Sequence, residues 1–316
     1  MKKIAVILLL ACGVNLLATG KGNAVYANAA DKDEDSQYET VMKQDLLCLF
    51  MAYPEYIVDV ERKLDNKVYV KMKSGRTILY DDKKSKTANE KLANTDLQDM
   101  LEQSYPLKPI SKLMEKDFDP GRFRVYELLR EVYGDSRAKV ETKLASVRVG
   151  YSNYQFNSAN NGAASLKNAV QEITTVIQKK GSIGGFVFPA NGTYNYRIIS
   201  GTSRLSPHAF GIAIDLTRDK RDYWKWASME EGQKRLDSYP KELVQVFENN
   251  GFIWGGKWNH FDILHFEYRP EIILKAKYFG GCCKDRNLWY EGVPLEEGKT
   301  KDYIDRIENA LKGKTL

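Results

Sequence analysis

The segment Ser206-Pro-His-Ala-Phe-Gly-Ile-Ala-Ile-Asp215 contains a histidine and an aspartate, two residue types that bind zinc, seven positions apart. A straight strand would separate His208 and Asp215 by about 23 Å and a helix by about 10 Å, so one ion binds both only if the chain doubles back. Gly211 lies between them and can adopt the backbone angles of such a bend. Ala213 shares the parity of Asp215 on a strand, and its small side chain leaves room there. Taken alone, the segment fits a metal half-site and equally a helix cap or a buried hydrogen-bonded pair.

A second segment, Trp254 to Glu267, contains the other two histidines of the chain. His265 offers a third ligand on an apolar strand, and three protein ligands leave a fourth position for water, as in catalytic zinc sites. Asp262 is placed to act as a general base if the chain turns between it and His265. Glu267 has the parity of His265 and is expected either to orient its imidazole or to form a surface salt bridge. We expect His260 to lie at the rim as a hydrogen-bonding residue.

Together the two segments resemble the M15 family of zinc peptidases. The resemblance lies in Ser-x-His-x-x-Gly-x-Ala-x-Asp, in Trp-Gly-Gly-x-Trp and in Asp-x-x-His-Phe-Glu, and it extends over about Leu144 to Pro270. The family includes D-alanyl-D-alanine carboxypeptidases, D-Ala-D-Ala dipeptidases and L-alanyl-D-glutamate endopeptidases. The resemblance therefore implies peptidoglycan stem peptides as the substrate.

The resemblance also implies that His208, Asp215 and His265 bind one Zn²⁺ ion. It places Asp262 at the position of the catalytic acid or base, where part of the family has glutamate instead. The sequence shows neither an HExxH motif nor a Ser/His/Asp arrangement that would support a different catalytic mechanism. The expected mechanism is hydrolysis by a metal-activated water, with Asp262 as the general base.

Four further residues are expected to contact the substrate. Arg197 matches an arginine that the family uses to bind a substrate carboxylate or the developing oxyanion, and Arg204 competes with it for this role. Ser206 matches the family serine, and Trp258 belongs to the Trp-Gly-Gly-x-Trp motif. Arg197 is thus a candidate catalytic residue, and the other three are candidate substrate-binding residues.

Strands and helices mix without a regular βαβ repeat, which predicts an α+β fold. The resemblance implies the small antiparallel-sheet zinc domain of the Hedgehog and DD-peptidase type. We expect a signal peptide over residues 1–29, an N-terminal α+β accessory region over 30–140, the zinc peptidase domain over 141–276 and a C-terminal tail over 277–316.

Local patterns predict several elements within these regions. Alternating apolar residues around a Ser-Gly turn predict a hairpin over 67–80, and helical spacing predicts an amphipathic helix over 163–179. We expect residues 31–40 to form a mobile charged leader, residues 81–94 a polar loop and residues 184–189 a strand.

The amino end has the features of an export signal. Lys2 and Lys3 precede the apolar run Ile4–Ala18, which is too short to span a bilayer comfortably, and small residues near 27–30 offer a cleavage site. We therefore expect a secreted or cell-envelope protein without an integral membrane span after cleavage. The alternatives are a lipoprotein box that ends at Cys12 and an uncleaved membrane anchor.

The charge of the chain is mild. The 48 Lys and Arg residues exceed the 42 Asp and Glu residues by 6, and removal of Lys2, Lys3 and Lys21 with the signal lowers this excess to 3. Such a small positive charge excludes the strongly basic surface of a nucleic-acid-binding protein. It is compatible with a protein that acts near an anionic cell wall.

Three cysteines remain after cleavage at the signal. We expect Cys48 to pair with Cys282 or Cys283, which an exported protein permits, or else all three to stay unpaired. No CxxC spacing exists, so these cysteines do not predict a metal site.

Two function hypotheses follow from the sequence. The first is a secreted zinc peptidase that cuts stem peptides, in carboxypeptidase or endopeptidase mode. The alternative is a non-catalytic, zinc-stabilised module of the same fold that binds the cell wall. The presence of Asp262 beside a full set of three ligands favours the enzyme.

Overall fold

The computed structural model describes residues 29–281 and 287–312. Helices and short antiparallel strands mix along the chain, which makes the fold α+β, as predicted. The helices are α1 Ala29–Ala52, α2 Ala88–Ala93, α3 Leu97–Leu101, α4 Tyr126–Tyr133, α5 Arg137–Glu141, α6 Gly162–Lys179, α7 Gly184–Val187, α8 Met229–Ser238, α9 Lys241–Asn249, α10 Pro270–Phe279 and α11 Thr300–Leu311. The strands are β1 Ile57–Arg62, β2 Val68–Met72, β3 Thr77–Leu79, β4 Leu144–Val149, β5 Ser152–Asn157, β6 Ala213–Asp215, β7 Phe252–Trp254 and β8 His265–Tyr268.

Three small antiparallel sheets make up the β structure. Strands β1, β2 and β3 form one sheet in sequence order, and β4 and β5 form a hairpin. The third sheet has the order β6–β8–β7, with β8 in the middle. Every residue of β7 and β8 is buried, so these two strands lie in the interior of the protein.

The core around the third sheet is aromatic and aliphatic. The ring of Phe247 from α9 lies 4.4 Å from that of Phe266 and 5.4 Å from that of Phe252, measured between centroids. Helix α6 buries Leu166 and Ile173 on one face and packs against β4, β5 and α9. Burial of such side chains stabilises the fold by roughly 1.5–3 kcal/mol each.

Residues well before position 140 pack directly against the third sheet. The Tyr105 hydroxyl donates to Glu248 at 2.5 Å, and the indole of Trp258 donates to the Pro120 carbonyl at 2.8 Å. Within the part of the chain that the structure describes, Glu39 onward belongs to one compact unit. The predicted domain boundary near residue 140 stays a prediction.

Several local predictions are confirmed. The hairpin at 67–80 is formed by β2 and β3, and β1 extends it on the other side. The predicted amphipathic helix at 163–179 is α6.

Three local predictions are wrong. Residues 31–40 lie within α1 instead of forming a mobile leader. The polar stretch 81–94 contains α2, which begins where Thr87 and Glu90 cap the first turn reciprocally. Residues 184–187 form the short helix α7 instead of a strand, because the 3₁₀ turn at 181–183 continues directly into it.

The predictions for the amino end and the cysteines remain predictions. Cys48 is buried, and its thiol forms no disulfide with any described residue. Both proposed partners, Cys282 and Cys283, lie outside the described residues, as do residues 1–28 of the predicted signal peptide. Among the helices that the structure describes, none is long and apolar enough to cross a membrane.

Candidate metal centre

A tight turn brings His208 and Asp215 together. The 3₁₀ helix at 207–210 begins where the Ser206 hydroxyl accepts a hydrogen bond from the His208 amide at 3.3 Å. Gly211 follows with φ +70°, a left-handed conformation that reverses the chain into β6. As a result, Nε2 of His208 lies 3.2 Å from Oδ1 of Asp215. The bend expected at Gly211 is thus present.

Strand pairing adds His265. Asp215 at the end of β6 is the direct cross-strand partner of His265 at the start of β8. Residues in direct register lie close enough for their side chains to meet on one face. Nδ1 of His265 lies 2.9 Å from the same Oδ1 of Asp215, and one potential ligand atom from each of the three residues lies within 4.8 Å of the others.

The remaining ring nitrogens face acceptors. Nδ1 of His208 lies 2.5 Å from the carbonyl oxygen of Thr193, and Nε2 of His265 lies 3.8 Å from Oε2 of Glu267. The Thr193 carbonyl oxygen only accepts, so Nδ1 of His208 donates to it. The opposite nitrogen of each ring faces Asp215, where a bound metal ion would take the place of a proton on that nitrogen.

This set of donors fits a zinc ion. Two imidazole nitrogens and one carboxylate oxygen are ligands that zinc prefers, and both rings are fixed by a second hydrogen-bonding or charged partner. His208 and His265 are both buried, whereas Asp215 is partly exposed toward the cleft. His208, Asp215 and His265 are therefore placed to bind one metal ion together.

Charges in the cluster perturb its titrating groups. Burial alone would lower the pKa of His265, but hydrogen bonding of its ring to Asp215 and Glu267 outweighs burial and raises that pKa to about 10. Burial, together with the negative charges of Asp215 and Asp222, raises the pKa of Asp262 to about 7. A carboxyl group with a raised pKa takes up and returns a proton more readily than an ordinary aspartate.

Asp262 and the cluster line the same cleft, which has a volume of ≈ 310 Å³. Backbone pairing fixes Asp262: its amide donates to the Gly255 carbonyl at 3.0 Å, and it forms an isolated bridge with Tyr223. A Cβ on Gly255 would lie 2.5 Å from the Asp262 carbonyl oxygen, so only glycine permits this approach. The Trp-Gly-Gly-x-Trp motif therefore positions Asp262.

The structure brings the other predicted residues to the cleft as well. Arg197 and Arg204 line it, the former exposed and the latter half-buried. Trp258 also lines it, with its ring 5.7 Å from that of His265. Ser206 lines it too, but its hydroxyl is engaged in the cap of the 3₁₀ helix.

Two alternatives left open by the sequence are decided by geometry. Glu267 is fully buried and bound by Arg124, with Nη2–Oε2 at 2.6 Å, so it forms no surface salt bridge. His260 lies at the cleft, where its Nδ1 is 2.7 Å from Oδ2 of Asp119 and its ring meets Trp224 edge-on. It is a hydrogen-bonded rim residue.

Several cleft residues were not predicted. The first group follows Pro120-Gly121 and consists of Arg122 and Arg124. The second group lies in the segment 218–226 and consists of Arg218, Tyr223, Trp224 and Trp226. The density of Trp and Tyr beside basic residues at 221–226 was a visible signal for the second group. The first group had no local signal, because it reaches the cleft only through long-range packing.

Substitution of the turn glycine should destabilise the protein. A Cβ at position 211 would lie 2.8 Å from Cδ2 of Leu144, and φ is positive there. We expect Gly211→Ala to lower the free energy of unfolding by about 1–3 kcal/mol, measured by urea denaturation. Gly185→Ala is the matched control, because its added Cβ meets nothing within 4 Å in α7, and it should cost nothing. Equal stability of both variants would contradict the role of Gly211.

Comparisons with known proteins agree with this geometry. Residues 200–268 match a family model described as D-alanyl-D-alanine carboxypeptidase, which belongs to the M15 peptidases. No curated protein matches the chain, and no solved structure matches it. The matched segment contains all three candidate ligands and Asp262. Residues 200–268 of the chain are therefore similar to the D-alanyl-D-alanine carboxypeptidases of the M15 peptidases.

Proposed function

We propose that this protein is a zinc-dependent peptidase that hydrolyses peptide bonds in peptidoglycan stem peptides. The observation that carries the proposal is the placement of His208, Asp215, His265 and Asp262 around one cleft inside the segment that matches the carboxypeptidase family. We also propose that residues 141–276 adopt the Hedgehog and DD-peptidase type of zinc domain. Secretion to the cell envelope is part of the same proposal and follows from the sequence of the amino end.

The cleft residues have separate roles in the proposed reaction. When bound, zinc supplies Lewis-acid chemistry, which polarises the scissile carbonyl and makes the attacking water more acidic. Asp262 accepts the proton of that water and returns it to the leaving amine. Arg197 lies close enough for its charge to act on Asp262, and it stabilises the negative charge that develops on the substrate.

Glu267 and Thr193 keep the ligand rings in the productive orientation. Their oxygens hold the outward nitrogens of His265 and His208 as N–H donors. The inward nitrogens face the metal site and lose their protons when zinc binds. This arrangement is typical of a site whose geometry is set before the substrate binds.

Product analysis tests the proposal. The zinc-loaded protein is incubated with purified muropeptides, and the products are identified by mass spectrometry beside an Asp262→Ala variant. Loss of a terminal D-alanine in the wild type alone would establish the carboxypeptidase mode, and internal cleavage would establish the endopeptidase mode. Intact muropeptides in the presence of bound zinc would favour the alternative, a non-catalytic wall-binding module.

A further inference from the structure

The arginines that line the cleft fall into two groups. Arg122 is paired with Asp119 at 3.1 Å, and Arg124 is paired with Glu267 at 2.6 Å. The other cleft arginines form no ion pair with any carboxylate of residues 36–281 or 287–312, and they are Arg197, Arg204 and Arg218. Three arginines of the cleft are therefore without a carboxylate partner in the described part of the chain.

Strand alternation explains why two of these arginines face the cleft. Residues 197–206 form a short irregular hairpin, in which the Ile199 amide donates to the Arg204 carbonyl at 2.8 Å and the Ser206 amide donates to the Arg197 carbonyl at 3.0 Å. Alternate residues of such a ribbon share one face, so Arg197, Ile199, Arg204 and Ser206 all line the cleft. Ile198, on the opposite face, is 55% exposed.

The two arginines have different neighbours. The charge of Arg197 acts on Asp262 and Tyr223, which places it at the catalytic end of the cleft. Arg204 instead lies near Arg122 and Arg124 and donates to the Leu92 carbonyl at 3.4 Å. These different neighbours place the two side chains at different parts of the cleft.

The position of Arg204 is unfavourable for a cation on its own. Burial lowers the pKa of Arg204; Tyr126 opposes this effect, and the charges of Arg124 and Arg122 add to it. A half-buried guanidinium without a carboxylate partner gains stability when an anion binds to it. A planar guanidinium is best matched by a carboxylate, which it binds through two parallel hydrogen bonds.

We propose that Arg204 forms a second anion subsite that binds a carboxylate of the substrate remote from the scissile bond. This subsite rests on the proposed peptidase function and restricts the class of peptides that the enzyme prefers. The preferred substrate is a peptide that carries a free carboxylate besides the one at its carboxyl end. A peptide in which this second carboxylate is converted to an amide loses the charge and binds more weakly.

A set of three synthetic peptides tests the subsite. The parent is L-Ala-γ-D-Glu-meso-diaminopimelyl-D-Ala-D-Ala, and the other two are amidated at the glutamate α-carboxylate or at the side-chain carboxylate of diaminopimelate. Binding is measured by calorimetry on the zinc-loaded Asp262→Asn protein, in which hydrolysis is slow, and hydrolysis is measured separately on the wild type. Arg204→Gln is compared with Arg130→Gln, which removes an exposed arginine that does not line the cleft.

We expect one of the two amidations to weaken binding by about tenfold or more. Arg204→Gln should bring the ratio between the parent and that amidated peptide close to one, and Arg130→Gln should leave the ratio unchanged. Equal affinity for all three peptides, or a ratio that survives Arg204→Gln, would overturn the subsite, as would the absence of any binding. Discrimination in binding without hydrolysis by the wild type would retain the subsite and reject the peptidase function.

Discussion

Replacement of Asp262 by asparagine should lower kcat for stem-peptide hydrolysis by about 10²–10⁴-fold, the range that a positioned general base contributes. Asparagine has nearly the same shape, but its amide does not accept a proton from water at neutral pH. The backbone hydrogen bond from residue 262 to Gly255 does not involve the side chain and should persist. The measurement is kcat on a muropeptide substrate, together with the zinc content of the purified variant.

The zinc content separates catalysis from structure. Asp262 lies outside the cluster of His208, Asp215 and His265, so Asp262→Asn should still bind one zinc. Asp135→Asn is a suitable control, because Asp135 is exposed, pairs with Lys139 at 2.8 Å and does not line the cleft. Retention of more than about a tenth of the wild-type kcat by Asp262→Asn would remove Asp262 from the role of general base.

Replacement of Glu267 by glutamine should lower the free energy of unfolding by about 3–5 kcal/mol, the usual cost of leaving a buried charge without its partner. Glu267 is fully buried and accepts two short hydrogen bonds from Arg124, at 2.8 and 2.6 Å. Although burial alone would raise it, Arg124 holds the pKa of Glu267 well below its usual range. Glutamine offers no charge to Arg124, whose nearest carboxylate partner among the described residues is Glu267.

The same substitution should weaken zinc binding by about 10–100-fold, because Glu267 faces the outward nitrogen of His265. Stability is measured by urea denaturation of the metal-free protein, and zinc affinity by competition with a chelator. Arg124→Lys keeps the positive charge but loses the planar guanidinium group. It should lower the free energy of unfolding less than Glu267→Gln does. Glu242→Gln breaks an exposed pair with Lys180 and should change stability by less than about 1 kcal/mol. A similarly small change for Glu267→Gln would show that the buried network is dispensable.

This network connects the amino-terminal region to the metal centre. Arg269 binds both Glu267, at 3.3 Å, and Glu271, at 2.6 Å, and the Tyr53 hydroxyl donates to Glu271 at 2.7 Å. The predicted accessory region thus supplies Tyr53 and Arg124 to a chain of buried charges that ends at His265. Residues 30–140 therefore help to hold the side chains of the candidate metal centre in place.

The sequence was sufficient for the parts of the site that local geometry controls. Gly211 between His208 and Asp215 predicted the bend, and the shared parity of His265 and Glu267 predicted that the two side chains face the same side of β8. These relations depend on short stretches of chain, in which spacing and glycine conformation decide the outcome.

The sequence was insufficient where contacts join distant segments. Arg124 lies 143 positions before Glu267, and nothing near it in the sequence indicates a buried ion pair. The short helix α7 was predicted as a strand, because a brief apolar run fits either structure until its neighbours are known. The charged residues at 31–40 predicted a mobile leader, but in the structure they lie within the helix α1.

The dependence of activity on zinc tests the central claim most directly. Metal-free protein is titrated with zinc, and the initial rate of muropeptide hydrolysis is measured at each addition. If His208, Asp215 and His265 bind the one catalytic ion, the rate rises linearly to one equivalent of zinc and then stays constant, and no such rise occurs in His208→Ala. Full activity of the metal-free protein, or the same linear rise in His208→Ala, would contradict the account.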